Sequence, residues 1–169
     1  WPSWVARVCA VTQDDPAFAV AGEDQAEFAV AMLATLAMGP PLVVLPSLKP
    51  PTVTAAAEVV RFRKVLGATD GPLAMPQETM PQLPAVAPRP AAVRSLHQPC
   101  VALFTGGSTG GRRLWWKTLD NLFAEAITLA RRFAITGDDV IVATVPPCHI
   151  YGLLLTCLVP MVTGARIVR

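Results

Sequence analysis

The sequence predicts an α/β fold, a partial doubly wound sheet with flanking helices. Short continuous apolar runs, Leu42-Val43-Val44-Leu45, Cys100–Phe104 and Val140–Val145, have the length and character of strands buried on both faces. Stretches of helical spacing separate them. Between residues 100 and 169 the order is strand, helix, strand, helix, strand, which is half of such a sheet.

The elements follow in chain order. Residues 1–71 read as alternating helices and strands. Asp24 followed by Glu27 marks a helix start, and Phe28–Met38 supplies a helix apolar on nearly every side. Gly39 ends it, Pro40-Pro41 turn the chain, and Leu42–Leu45 forms a short buried strand. Thr54–Leu66 reads as a further helix, with Arg61, Arg63 and Lys64 near the end where the macrodipole favours cations. Residues 72–99 hold many of the 17 prolines and almost no periodicity, so they form a connecting segment. In residues 100–169, the strand Cys100–Phe104 runs into a glycine-rich loop. Leu119, Leu122, Phe123, Ala126, Ala130 and Phe133 then fall at helical spacing, with Asp120 near the start and Arg131-Arg132 near the end. Thr136–Asp139 turns the chain into the run Val140–Val145. A second helix, Tyr151–Val162, leads to a last strand, Ala165–Val168.

Composition narrows the function classes. The chain is 53% hydrophobic and 15% charged, which argues against disorder, and its formal net charge is +2. Lys and Arg are scattered rather than striped, so no nucleic-acid footprint is visible. The apolar runs are too short or too interrupted by Pro and Gly to span a bilayer, and Trp1-Pro2-Ser3-Trp4 lacks the features of a signal peptide. Cys9, Cys100, Cys148 and Cys157 show no CxxC pair or zinc-like spacing. They read as reduced thiols of a cytoplasmic protein, and no metal ligand set is predicted. Cys148 and His149 are neighbours, but adjacent side chains on extended backbone point apart, which disfavours a catalytic dyad.

The stretch FTGGSTGGRR, residues 104–113, carries the chemistry. Gly106, Gly107, Gly110 and Gly111 remove the Cβ atoms that would hold an anion away from the backbone. Successive N–H groups can then converge on one point. Thr105, Ser108 and Thr109 add hydroxyls, and Arg112 and Arg113 add charge-assisted donors, so the pattern suits a polyphosphate. A surface turn would show the same glycines, but the flanking elements favour a site. Two nucleotide motifs are excluded. The Walker interval from Gly106 to Gly111 is followed by Arg112-Arg113 instead of Lys-Ser/Thr, and only the latter half of a dinucleotide GxGxxG is present.

TGGSTGGRR resembles the phosphate loop of the adenylate-forming superfamily, which includes acyl-CoA synthetases, fatty acyl-AMP ligases and peptide-synthetase adenylation domains. Thr105–Gly110 match the family pattern position by position, while Arg112 stands where Pro is usual and Arg113 where Lys is usual. PPCHIYGLLLTCLVPMVTGARIV is similar to a second landmark, Pro-x-x-His-x-x-Gly followed by an apolar helix, a Pro, and Gly-Ala before a strand. Pro146, His149, Gly152, Pro160 and Gly164 carry that match. GEDQAEFAVAMLATLAMGPPLVVLP looks like the family's early helix-strand unit.

The resemblance implies the N-terminal part of an enzyme that uses ATP and Mg2+ to convert a carboxylic acid into an acyl-adenylate and pyrophosphate. The acceptor would be a thiol, coenzyme A or the phosphopantetheine of an acyl carrier protein. It implies that Thr105, Gly106, Gly107, Ser108, Thr109, Gly110 and Arg113 grip the β- and γ-phosphates, with Lys117 as an alternative cation. His149 would lie near the carboxylate end of the acyl pocket, with Tyr151 and Gly152 shaping it. The alternative for His149 is a helix-start residue hydrogen-bonded to backbone, and His97 reads as exposed. The family pattern continues with adenine- and ribose-binding segments and a mobile domain bearing a catalytic Lys, none of them present in residues 1–169. Little or no adenylation is therefore expected of these residues alone. Residues 1–71, 72–99 and 100–169 are expected to be two parts of one domain and the segment between them. The competing functions are a nonenzymatic nucleotide-binding module and an interaction fragment whose raw sheet edge invites association, a homo-oligomer included.

Overall fold

A computed structural model describes residues 2–37, 40–67, 76–78, 95–105 and 113–168. The first helix, α1 (Pro2–Thr12), is followed by β1 (Phe18–Val20), α2 (Gln25–Leu36), β2 (Leu42–Val44), α3 (Pro50–Val59), β3 (Val65–Leu66) and β4 (Gln77–Glu78). After the Pro-rich segment come β5 (Pro99–Thr105), β6 (Arg113–Thr118) and α4 (Leu119–Arg132). Then follow β7 (Val140–Val142), a helix made of α5 (Ile150–Leu153), a π-helical turn (Leu154–Leu158) and α6 (Val159–Thr163), and finally β8 (Arg166–Val168).

Six strands form one sheet in the order β4-β3-β1-β2-β5-β6. The β4–β3, β3–β1, β1–β2 and β2–β5 pairs are parallel, and β6 adds antiparallel to β5. The two-residue period of the strands divides their side chains between two cores. Phe18, Val20, Leu42, Val44, Val101 and Leu103 face α1, α2, α4 and the 150–163 helix. Ala19, Val43, Leu45 and Ala102 face Val53 and Ala56 of α3. Helices thus cover both faces, as expected for a doubly wound sheet. Burying each of these larger aliphatic or aromatic side chains stabilises the fold by about 1.5–3 kcal/mol.

Local chemistry sets most of the boundaries. Asp24 caps α2, its Oδ1 accepting from the N–H groups of Ala26 at 2.7 Å and Glu27 at 3.3 Å. Thr118 caps α4, its Oγ1 accepting from Asn121 N–H at 3.0 Å. Gly164 ends α6 in the left-handed conformation (φ 81°) and donates to Pro160 O at 2.8 Å. The π-helical turn has its own cause. Pro160 lacks the N–H that an α-helix would direct to the Thr156 carbonyl, and its ring crowds that carbonyl. The ladder widens instead, and Val159 N–H reaches Leu154 O.

The structure corrects five expectations. The helix expected over Thr54–Leu66 is α3, Pro50–Val59. Pro50 and Pro51 fit its first turn, where no N–H partner is needed, and Val60 (φ −127°, ψ 122°) already leaves the helix so that β3 can pair with β1. Arg61, Arg63 and Lys64 therefore lie on extended chain and not at a helix end. Lys64 Nζ donates to Val11 O, where α1 ends, and sits 3.8 Å from the Asp15 carboxylate. Residues 114–117, to which the sequence assigns no element, belong to β6. Phe133 is 62% exposed instead of joining the α4 stripe, because α4 stops at Arg132 and Ala134 turns the chain with φ 51°. The run Val140–Val145 forms only a three-residue strand. It pairs with β8 in a separate two-stranded parallel sheet and not with the main one. Nor is it buried on both faces: Ile141 packs inward, while Val140 and Val142 are 46% and 62% exposed.

Candidate active site

β1, β2, β3 and β5 run parallel, so their C-terminal ends share one edge of the main sheet. Ligands of open α/β sheets bind outside that edge. Thr105 is the last residue of β5, and Arg113, the first of β6, is its register partner across the antiparallel ladder. The sheet therefore brings these two predicted residues together and anchors both ends of the glycine-rich stretch. Gly106, Gly107, Ser108, Thr109, Gly110 and Arg112 lie outside the described residues. The Arg113 side chain is exposed.

The neighbouring helix start offers anions little. The N-terminus of α2 follows β1 at the same edge, but the Asp24 carboxylate already occupies its N–H groups. Positive potential at this edge comes instead from the β5–β6 side. Arg113 is the cation there; Lys117, the alternative, is half-buried on β6 opposite Val101, toward the other end of the ladder and away from this edge.

His149 belongs to a different element, the turn between β7 and α5, where it is the N-cap residue (φ −101°, ψ 144°). Its N–H donates to Pro146 O at 3.1 Å, and its carbonyl accepts from Leu153 N–H at 2.8 Å. Its side chain makes no capping hydrogen bond and is exposed. The backbone thus fixes the residue while the imidazole does not spend itself on the helix end. Tyr151 is 60% exposed. Gly152, buried at the third helical position, lies against the Val145–Pro146 backbone. The resemblance to the family's second landmark flags this glycine, whereas its reason shows only in three dimensions.

The surroundings of Cys148 disfavour a nucleophile paired with His149. Burial, followed by the Glu23 charge, pushes its thiol above the ordinary value, so it stays protonated near neutral pH. Two hollows lie nearby. An apolar groove of about 820 Å³ runs between the first turn of α2, Phe123, Cys157, Met161 and Ile167, and among the described side chains includes neither Arg113 nor His149. A recess of about 360 Å³ is lined by Glu23, Gln25 and Ala143–Pro146. His97 is exposed, as expected, with Nδ1 3.7 Å from Asp120 Oδ2.

The sequence profile of the AMP-binding enzyme family matches residues 9–169. The chain belongs to that family. This AMP-binding chain is 32% identical over 92 residues to the sulfoacetate–CoA ligase of Cupriavidus necator, an alignment covering 53% of the chain and 18% of the ligase. Its fold is shared with ATP-bound MatB of Rhodopseudomonas palustris (TM-score 0.79, 18% identity), covering 99% of this chain and 38% of that one. It is also shared with the o-succinylbenzoate coenzyme A synthetase MenE of Bacillus subtilis in complex with ATP and magnesium ion (TM-score 0.84, 18% identity), covering 98% and 37%. The AMP-binding chain therefore spans well under half the length of these proteins, and its mixed α/β architecture is that of adenylate-forming enzymes. Among the described residues, no helix is long and apolar enough to cross a membrane.

Proposed function

We propose that the chain is the phosphate-binding part of an ATP-dependent acid–thiol ligase. In the reaction, a carboxylate oxygen attacks the α-phosphorus of ATP, the bond to the β-phosphate oxygen breaks, and acyl-adenylate and pyrophosphate result. A thiol, coenzyme A or a carrier protein's phosphopantetheine, then attacks the acyl carbonyl, the bond to the adenylate oxygen breaks, and AMP leaves with the thioester formed. Residues 1–71 and 100–169 contribute to one domain, with 72–99 connecting them, and the protein works in the cytoplasm. The observation that carries the proposal is the pairing of Thr105 with Arg113 at the ligand-binding edge of the sheet, in a chain of this family.

Two anions, carboxylate and polyphosphate, repel each other, so the protein must hold them in line and supply positive potential. Thr105 through Gly110 grip the departing phosphates, and Arg113 bridges two of their oxygens with its planar fork. His149, held by its backbone, donates from its ring to the acid's carboxylate. The cationic donors at this edge suit phosphate oxygens and not a metal directly, so Mg2+ would take ligands from the nucleotide itself. When bound, it neutralises phosphate charge.

Arg113→Ala in the complete enzyme should raise the KM for ATP by about 10- to 100-fold, the worth of a charge-assisted hydrogen bond. Arg113→Lys should fall between the two, keeping the charge and losing the fork. Steady-state ATP–pyrophosphate exchange reads both. Unchanged exchange and KM in Arg113→Ala and in Gly107→Val would remove the basis of the assignment. ATP binding without exchange in the complete, unsubstituted protein would favour a nonenzymatic nucleotide-binding module instead.

A further inference from the structure

We infer that Gly152 is a positioning residue for His149, and that it sets how tightly the enzyme holds its carboxylic acid substrate. The inference rests on the assignment of His149 to the acid's carboxylate and adds how the fold holds that histidine in place. A Cβ built on Gly152 would overlap the Pro146 carbonyl oxygen outright, and would lie 2.6 Å from the Pro146 carbonyl carbon and 2.7 Å from Val145 O. These are backbone atoms, so no side-chain rotation relieves the overlap. The same Pro146 oxygen accepts the His149 N–H at 3.1 Å, and the His149 carbonyl in turn accepts from Leu153, the residue after the glycine. The missing side chain at 152 is thus the seat of the turn that carries His149. Gly152 has no left-handed φ to explain it, unlike Gly164. Space, and not backbone conformation, excludes every other residue.

An added methyl group must push the 145–146 backbone off the helix or tilt the helix away from it. Either movement carries the His149 backbone with it. Misplacement by about 1 Å can cost up to about 100-fold in rate. The loss should fall on the acid and not on ATP, because Thr105 and Arg113 belong to the main sheet and His149 to the β7–α5 turn.

The test uses the complete enzyme and compares Gly152→Ala, His149→Ala, the double variant and Pro146→Ala. Gly152→Ala should raise the KM for the acid by about tenfold or more, the worth of a hydrogen bond to a charged group, while leaving the KM for ATP within about twofold. The double variant should be no worse than His149→Ala, since both remove one function. Pro146→Ala, which keeps the carbonyl but frees its φ, should give a smaller loss of the same kind. Equal losses for acid and ATP, or additive losses in the double variant, would overturn the inference. Should Gly152→Ala fail to fold, Pro146→Ala decides: an unchanged KM for the acid, beside a raised one in His149→Ala, also overturns it. An unchanged KM in His149→Ala would instead remove the reading of His149 itself.

Discussion

Lys64 shows how one residue's surroundings override its local pattern. Beside Arg61 and Arg63 it reads as a cation for a helix end, yet it holds the Val11 carbonyl and lies 3.8 Å from Asp15, whose side chain is only 6% exposed. Removing one member of such a pair leaves the other's charge in a poorly solvated place, while replacing both by apolar residues need not destabilise. Lys64→Met should therefore cost about 3 kcal/mol in chemical denaturation, and Lys64→Met combined with Asp15→Leu should recover most of it. A double variant as unstable as the single would show that packing of the lysine stem matters more than charge. The strand that leads into the glycine stretch was legible to within a residue at each end, expected over Cys100–Phe104 and found over Pro99–Thr105, because an apolar run must end where glycines begin. The seat beneath His149 was not, because Pro146 and Gly152 meet only once the helix turns back on its own lead-in.

At the scale of elements, the start of α2 at Asp24 was legible, the helix end expected at Gly39 lies outside the described residues, and Gly164, matched only as a family landmark, shows its capping role in the structure. Asp24 and Gly164 sit where their chemistry dictates, one accepting from orphan N–H groups and the other taking a left-handed φ. A Cβ on Gly164 would come no closer than 3.8 Å to Gly137 Cα, so Gly164→Ala meets strain and not a clash. It should lower stability by about 1–2 kcal/mol, read as a shift in denaturation midpoint without loss of the folded baseline. The β6 strand was illegible for a physical reason. Leu114, Trp115, Trp116 and Lys117 have neither clean alternation nor helical spacing, and only the ladder to β5 makes them a strand. Val140–Val142 misleads in the opposite sense. A β-branched run signals a strand, but whether one face or two are covered depends on what packs there.

Across the whole molecule, the thiols tie stability to pH. Burial raises the values of Cys9, Cys148 and Cys157, the last to about 12. Between the ordinary thiol value and these raised ones, the unfolded chain loses protons that the folded chain keeps. Stability is thus present below the ordinary thiol value and falls as pH rises above it, by up to about 1.4 kcal/mol per pH unit for Cys157 and less for the half-exposed Cys9 and Cys148. Denaturation midpoints at pH 8 and pH 10.5 should show the decline, and Cys157→Ala should make it shallower. An equal slope in that variant would place the alkaline sensitivity elsewhere. The helix that carries Cys157 also has a built-in phase offset. The widened turn at Leu154–Leu158 inserts an extra residue into the spiral, and each residue of an α-helix advances it by about 100°. The histidine end and the glycine-capped end therefore aim in directions that a regular helix of the same sequence would not give, so straightening this turn would present His149 and Gly164 at a different relative angle.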